Sequence, residues 1–304
     1  MNEPILEVQN LTKRYQSVTA VNNVSFRIYP GEVFGLLGPN GAGKTTTLEC
    51  MEGLRRPTSG TILVDGLHPI KDRHLVRRVL GVQLQTAALP EMMLVKEAMA
   101  LICAAHDVQP RQDLLHRFGL DDLKMKQYGT LSTGQKRKLQ LALALASSPK
   151  IVVLDEPTAG VDVQGRAQLH EEIRALKAVG VTLILATHDM AEAEMLCDRI
   201  AILIGGKLAT VGTPEQVTAA SKAETRITLR TRHGSLLGQG RIEKASFIGK
   251  SEGFAHWLCT DTASAVMELL AEAIHADDFV EDLRVERPSL EERFLEMVEG
   301  RDAR

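Results

Sequence analysis

Eight consecutive residues, Gly38-Pro39-Asn40-Gly41-Ala42-Gly43-Lys44-Thr45, fit the pattern G-x-x-x-x-G-K-[ST] of a phosphate-binding loop. The three glycines let backbone N–H groups turn inward and approach phosphate oxygens with no Cβ in the way. Lys44 then reaches the β- and γ-phosphates, and the Thr45 hydroxyl is placed to ligate Mg²⁺. The flanks agree with this. Val33 to Leu37 reads as a short buried strand, and Thr45 to Leu54 as a helix whose N-terminus adds partial positive charge beneath the phosphates. The competing reading is a glycine-rich turn with a chance lysine. Eight matching positions between a strand and a helix disfavour it.

A second chemical segment is Ile151-Val152-Val153-Leu154-Asp155-Glu156-Pro157, four apolar residues followed by two carboxylates. Such a strand is buried on both faces, as in a parallel sheet, and its acidic end falls at the carboxyl edge where open α/β sheets bind ligands. Asp155 is placed to hold Mg²⁺ through water and Glu156 to orient or deprotonate an attacking water. Taken alone, the segment also reads as two acids in a turn before proline. Val181 to Thr187 is another apolar strand and ends in His188. A histidine at a strand end is more often structural than catalytic. Its place at a strand end like that of the acids favours the catalytic reading.

Leu131-Ser132-Thr133-Gly134-Gln135 opens a helix that continues through Lys136-Arg137-Lys138. Ser132 and Gln135 satisfy the S-x-x-Q capping box. That accounts for the serine and the glutamine but not for Gly134, which costs helix propensity and points to close approach by a ligand. Tyr15, beyond the first strand, reads first as a packing residue, as a lone tyrosine on a strand edge usually is, and second as a face on which a nucleobase stacks.

The elements that must hold these groups follow in order. Strands are predicted at Ile5–Leu11, Ser25–Tyr29, Thr61–Val64 and Leu80–Leu84, the last with Gln85 at its end. Helical spacing covers about Leu94 to Tyr128. A helix runs through Leu169, Ile173 and Leu176, another spans Ala191 to Cys197, and strands follow at Ile200–Ile204 and Lys207–Val211. The 304 residues suit about two domains. With 44% hydrophobic and 25% charged residues, disorder is not the default reading. A net charge of −3 gives no electrostatic case for nucleic acid as the main partner. Four well-separated cysteines suit reduced thiols rather than a disulfide or zinc framework. The start, Met1-Asn2-Glu3-Pro4, lacks the basic and apolar regions of a secretory signal. The longest apolar run, Ala98 to Ala105, is far short of the about 20 residues that span a bilayer.

Taken together, these segments resemble the ATP-binding subunits of ABC transporters over about residues 5 to 220. Gly38 to Thr45 is similar to the family's Walker A, with Thr46 beside it. Ile151 to Glu156 resembles Walker B and the adjacent catalytic glutamate, and Gln85 the Q-loop glutamine. Leu131 to Gln135 resembles the LSGGQ signature, Ala159 to Asp162 the D-loop and His188 the switch histidine, while Tyr15 stands where the family has its adenine-stacking aromatic. The resemblance implies an α/β P-loop ATPase core of mainly parallel sheet, with an antiparallel β subdomain and a helical subdomain at about 88–147. It implies ATP and Mg²⁺, the metal held by Thr45, Asp155 and Gln85, with Glu156, His188 and Lys44 as catalytic residues. It also implies a head-to-tail homodimer in which Ser132, Gly134 and Gln135 of one copy face ATP held by the other. The subunit would lie on the cytoplasmic face of the cell membrane beneath a separate permease. One position departs from the pattern: Thr133 replaces the first glycine of the signature's central pair, which is expected to loosen closure.

From Ser221 the composition shifts and the motifs stop. Residues 221 to 304 read as a small α+β appendage, with strands near Thr225–Arg230, Phe254–Leu258 and Phe279–Val285 and helices near Ala263–Ile274 and Ser289–Val298. It holds 12 Lys and Arg against 16 Asp and Glu, so it is no polybasic membrane patch. Its ending, Pro288-Ser289-Leu290-Glu291-Glu292-Arg293-Phe294-Leu295, resembles the tail of ABC-2 type drug- and antibiotic-exporter ATPases. The rival class is a non-transport ABC ATPase of DNA repair or translation. Proteins of that class usually carry a long coiled-coil arm or two cassettes in one chain, and neither is present.

Overall fold

The structure is a computed structural model that describes residues 3–83, 89–220, 224–238, 242–286 and 289–302. Gln85, Ser221 and Pro288 lie outside the described residues. The chain divides into two compact units, Met1–Pro214 and Glu215–Arg304.

In the first unit, β1 (Leu6–Tyr15) and β2 (Val18–Ile28) form a hairpin, and β1 pairs on its other side with β4 (Ser59–Val64), all antiparallel. Between β2 and β4 the chain makes β3 (Val33–Leu37) and α1 (Lys44–Met51). After β4 come α2 (Arg73–Val79), unforeseen in the sequence, and β5 (Leu80–Gln83). The short α2 has one buried residue, Val76, so it lacks the apolar stripe by which helices are recognised.

The stretch expected to be helical from Leu94 to Tyr128 is interrupted. It forms α3 (Val95–Ala105) and α4 (Gln112–Arg117), followed by two single 3₁₀ turns. Asp107 adopts a left-handed φ of 56° after α3, and Pro110 cannot continue a helix. Then follow α5 (Thr133–Ala144), β6 (Ile151–Asp155), α6 (Val163–Ala178), β7 (Thr182–Thr187), α7 (Met190–Leu196), β8 (Arg199–Ile204) and β9 (Lys207–Gly212), with α8 (Pro214–Ala219) at the unit boundary.

The central sheet has the order β5-β6-β7-β3-β8-β9. Its first five strands are parallel, and β9 is antiparallel to β8. Strands β3, β6 and β7 are buried at every residue, which explains why they read as unbroken apolar runs. One core cluster joins the antiparallel sheet to one face of the central sheet and includes Val8, Phe26, Phe34, Leu48, Met51, Val153 and Ile184. Phe26 and Phe34 stack with ring centroids 5.3 Å apart.

The second unit is a four-stranded antiparallel sheet in the order β11-β12-β10-β13. Its strands are β10 (Thr225–Thr231), β11 (Ser246–Ser251), β12 (Phe254–Cys259) and β13 (Val280–Glu286). Helix α9 (Thr262–His275) packs Ala265, Leu269 and Ala273 into a core with Ile227, Leu229 and Trp257, and α10 (Leu290–Asp302) is the last described element. The α+β reading of this unit holds. Strand β11 escaped notice because Gly249 and Lys250 fall inside it and leave only Phe247 and Ile248 as an apolar signal.

Candidate active site

Strand β3 ends at Leu37, and the chain turns through Gly38 to Gly43 into α1. The turn leaves no room for side chains at two of its glycines. A Cβ on Gly38 would lie 2.3 Å from the Leu203 carbonyl oxygen, and one on Gly43, whose φ is 101°, would lie 2.6 Å from that of Ala20. The resulting cleft is lined by Ala20, Pro39, Asn40, Gly41, Gly43, Lys44, Thr45, Thr46, Asp155 and Glu156. Ala42, from the same loop, is buried instead.

Lys44 is buried, and its Nζ donates to the carbonyls of Gly38 at 2.6 Å and Pro39 at 3.4 Å. Burial pulls its pKa below the ordinary lysine value, and the charges of Glu156 and Asp155 oppose that pull. The Glu156 Oε1 lies 3.9 Å from Lys44 Nζ. Asp155, the last residue of β6, is also buried, and burial followed by the neighbouring Glu156 pushes its carboxyl above the usual range, against Lys44 and Arg137. Its Oδ1 is buried with no hydrogen-bond partner.

Glu156 stands just beyond the strand at a left-handed φ of 48° and is tethered by its N–H to Ala186 O on β7, at 2.9 Å. Its Oε1 meets Nδ1 of His188 at 2.8 Å. The His188 side chain is 61% exposed, so this histidine is held mainly by that one hydrogen bond rather than by packing.

Residues from three strand ends thus come together: Lys44 after β3 and Asp155 and Glu156 at β6 line the cleft, and His188 after β7 joins them through Glu156. The others lie elsewhere. Tyr15 is half-buried at the end of β1, with Lys13 Nζ 5.0 Å and Arg55 Cζ 5.7 Å from its ring centroid, and it does not line the cleft. Ser132 caps α5: its Oγ accepts from Gln135 N at 3.2 Å, while Gln135 Oε1 accepts from Ser132 N at 3.0 Å. The capping box therefore forms. Among the described residues nothing demands glycine at 134, since a Cβ there would meet only Val161 Cγ1, at 4.0 Å. Asp162 caps α6 through Gly165 N at 2.7 Å.

Two contributors went unrecognised in the sequence. Ala20, near the start of β2, walls the cleft and packs its carbonyl against the loop. Arg137, one member of a basic run in the sequence, is buried. Its Nη1 donates to Gln140 Oε1 at 3.2 Å and its Nη2 to the Ala159 carbonyl at 3.5 Å, which ties α5 to the loop after Glu156. Burial lowers its pKa, and Tyr128, Asp155 and Glu156 act in the opposite sense. The signal was available: Arg137 shares a helix face with buried Leu141 and Ala144.

The arrangement suits a polyphosphate and a divalent cation. A glycine-rich loop lining the cleft and a buried lysine suit the phosphates, and an orphaned buried carboxylate oxygen with an exposed threonine in the same cleft suits a hard cation. Comparison with known proteins agrees on the nucleotide. The ABC transporter family model matches residues 21–159. The chain is 32% identical, over its whole length and 98% of the relative, to the daunorubicin resistance ATP-binding protein DrrA3 of Streptomyces coeruleorubidus. This protein belongs to the ATP-binding subunits of ABC transporters. It is also 37% identical to the Nod factor export ATP-binding protein I of Burkholderia thailandensis, over 81% of this chain and 82% of that one. Among solved structures, an ATP-binding subunit of an ABC transporter superposes with a TM-score of 0.66 at 29% identity, covering 71% of this chain and 92% of the other. A dimeric ATP-binding cassette in a post-hydrolysis state with ADP and Pi superposes at 0.63 with 25% identity, covering 68% and 98%. The ABC subunit is an ATPase. Its full-length relatives are named for drug resistance and export, and the DNA-repair or translation reading falls away.

Proposed function

We propose that this subunit drives export through a separate membrane permease, as its relatives are named to do, and that the Lys44–Glu156–His188 cluster carries the ATP hydrolysis. The observation behind the assignment is the position of Glu156 Oε1, 2.8 Å from His188 Nδ1 and 3.9 Å from Lys44 Nζ, at the carboxyl edge of the sheet. The loop amides of Gly38 to Lys44 and the hydroxyls of Thr45 and Thr46 bind the phosphate chain of ATP. Thr45 and Asp155 hold Mg²⁺, with Gln85 a third ligand carried by resemblance, and the ion when bound neutralises charge on the β- and γ-phosphates. Glu156 orients water for in-line attack on the γ-phosphorus and draws off its proton. His188 fixes the Glu156 carboxylate and faces the γ-phosphate. Lys44 offsets charge that grows on the β–γ bridge as it breaks.

Tyr15 takes the adenine on its ring. The exposed Ser132, the open backbone at Gly134, Gln135 and Asp162 face a second copy, so that a head-to-tail homodimer closes over two nucleotides. The first compact unit is then the ATPase domain and the second an appendage. No helix among the described residues is long and apolar enough to cross a membrane, so export needs a separate integral membrane partner, which we assign to the ABC-2 type, with this subunit on its cytoplasmic face. Co-purification from membranes, with and without ATP, tests this. Recovery of an integral membrane protein of about six spanning helices, each of about 20 apolar residues, supports it. Recovery of ribosomes or nucleic acid alone contradicts it.

A further inference from the structure

Helices α6 and α7 are joined by two polar pairs that the site itself does not use. His170 Nε2 lies 3.1 Å from Glu192 Oε1, with side-chain exposures of 8% and 1%. The other Glu192 oxygen, Oε2, is buried without a partner. Nearer the helix N-termini, Arg166 Nη1 reaches Asp189 Oδ2 at 3.4 Å, and Asp189 Oδ1 accepts from Glu192 N at 2.9 Å. Asp189 N in turn donates to Thr187 Oγ1 at 3.0 Å, which closes the turn that carries His188.

A buried pair of this kind is a poor device for stability. Desolvating both groups consumes most of what their attraction returns, and apolar residues of similar volume often serve as well. A carboxylate with one oxygen left unpaired is poorer still. A directional hydrogen bond does provide geometry: it fixes the rotation and height of one helix against the other, which apolar contact does loosely. The ends so fixed are the functional ones. Glu192 stands about one turn beyond His188, and His170 about 12 Å along α6 from Asp162, at ~1.5 Å per residue. Because His188 is mostly exposed and has little packing of its own, its approach to Glu156 depends on where α7 begins.

We propose that the His170–Glu192 pair is a positioning device for hydrolysis: it seats the start of α7 against α6 so that His188 Nδ1 meets Glu156 Oε1. The proposal rests on the reading of Glu156 and His188 as the hydrolytic pair. Neither His170 nor Glu192 lines the cleft. Their effect therefore falls on kcat and leaves the phosphate loop, and with it KM for ATP, unchanged.

The test uses the full chain with three variants: His170→Leu, the double variant His170→Leu/Glu192→Leu, and His170→Gln. His170→Leu strands a buried carboxylate and lowers both Tm and kcat, the latter about tenfold, with KM within about twofold. In the double variant the unpaired charge is gone and Tm returns, but kcat stays low. A double variant in which kcat recovers together with Tm would show that the pair only packs, and would overturn the proposal. His170→Gln keeps an N–H donor toward Glu192 and holds kcat within about twofold of the parent. A loss as large as that of His170→Leu overturns the proposal even if the double variant does not fold. His188→Ala, run in parallel, separates the two levels. If it leaves kcat unchanged, the underlying assignment fails; if it lowers kcat while the His170 variants do not, only the positioning role fails.

Discussion

Glu156 and His188 come from different strands, yet Oε1 of one and Nδ1 of the other are 2.8 Å apart. The backbone shares in this contact, because Glu156 leaves β6 in a left-handed conformation and bonds its N–H to β7, the strand that ends one residue before His188. A carboxylate held at the edge of the sheet by a histidine on one side and a buried lysine on the other is suited to orient water.

His188→Ala removes the contact and leaves the cleft lining intact. The account predicts a fall in kcat of about 10²-fold with the dissociation constant for ATP nearly unchanged. Steady-state turnover compared with equilibrium nucleotide binding reads the two quantities separately.

Thr133 is exposed at the start of α5, where the resemblance leads one to expect glycine. Within the chain its methyl group makes no tight demand: even a Cβ added to Gly160 would lie 3.8 Å from Thr133 Cγ2. Any cost of this side chain therefore arises between copies. Thr133→Gly is predicted to tighten ATP-dependent dimerisation, measured by sedimentation with the non-hydrolysing Glu156→Gln background, while the Tm of the nucleotide-free monomer changes little. Unchanged dimerisation, nucleotide affinity and turnover would remove the idea.

Glu52, at the C-terminal end of α1, is a half-buried carboxyl, and burial first, then the charges of Asp155 and Glu49, raise it from the ordinary 4.5 to about 7. The sign follows from proton linkage. The folded protein holds a proton that the unfolded chain releases above pH 4.5, so stability falls as pH rises from about 4.5 through about 7 and stays reduced above it. Glu52→Gln, which cannot ionise, is predicted to raise Tm by a few degrees at about pH 8 and to make little difference at about pH 4.5. Thermal melts of the nucleotide-free protein at both values check this; an equal effect at both would contradict it.

Much of the site was legible because its residues sit where parallel strands end. A strand buried on both faces writes itself as an apolar run, and the first charged residues after it mark the sheet edge, as at Asp155, Glu156 and His188. The phosphate loop was legible for a second reason: its backbone leaves Gly38 and Gly43 no alternative to glycine. Features set by pairing across the chain were not readable. Arg137 looked like surface charge until α5 was docked against the loop at Ala159, and His170 and Glu192 looked unremarkable on two helices whose contact no local pattern announces. The short α2 and the broken α3–α4 region show the other limit, where elements of one or two turns are decided by left-handed residues such as Asp107 and by tertiary support.

The most direct test of the account is Glu156→Gln, because the substitution keeps the shape and a hydrogen-bonding partner for His188 while removing the carboxylate. ATP binding in the presence of Mg²⁺ and steady-state hydrolysis are measured on the same preparation. The account predicts binding within about twofold of the parent and turnover lower by at least about 10²-fold. Near-normal turnover would contradict it and take the catalytic assignment of Glu156 with it.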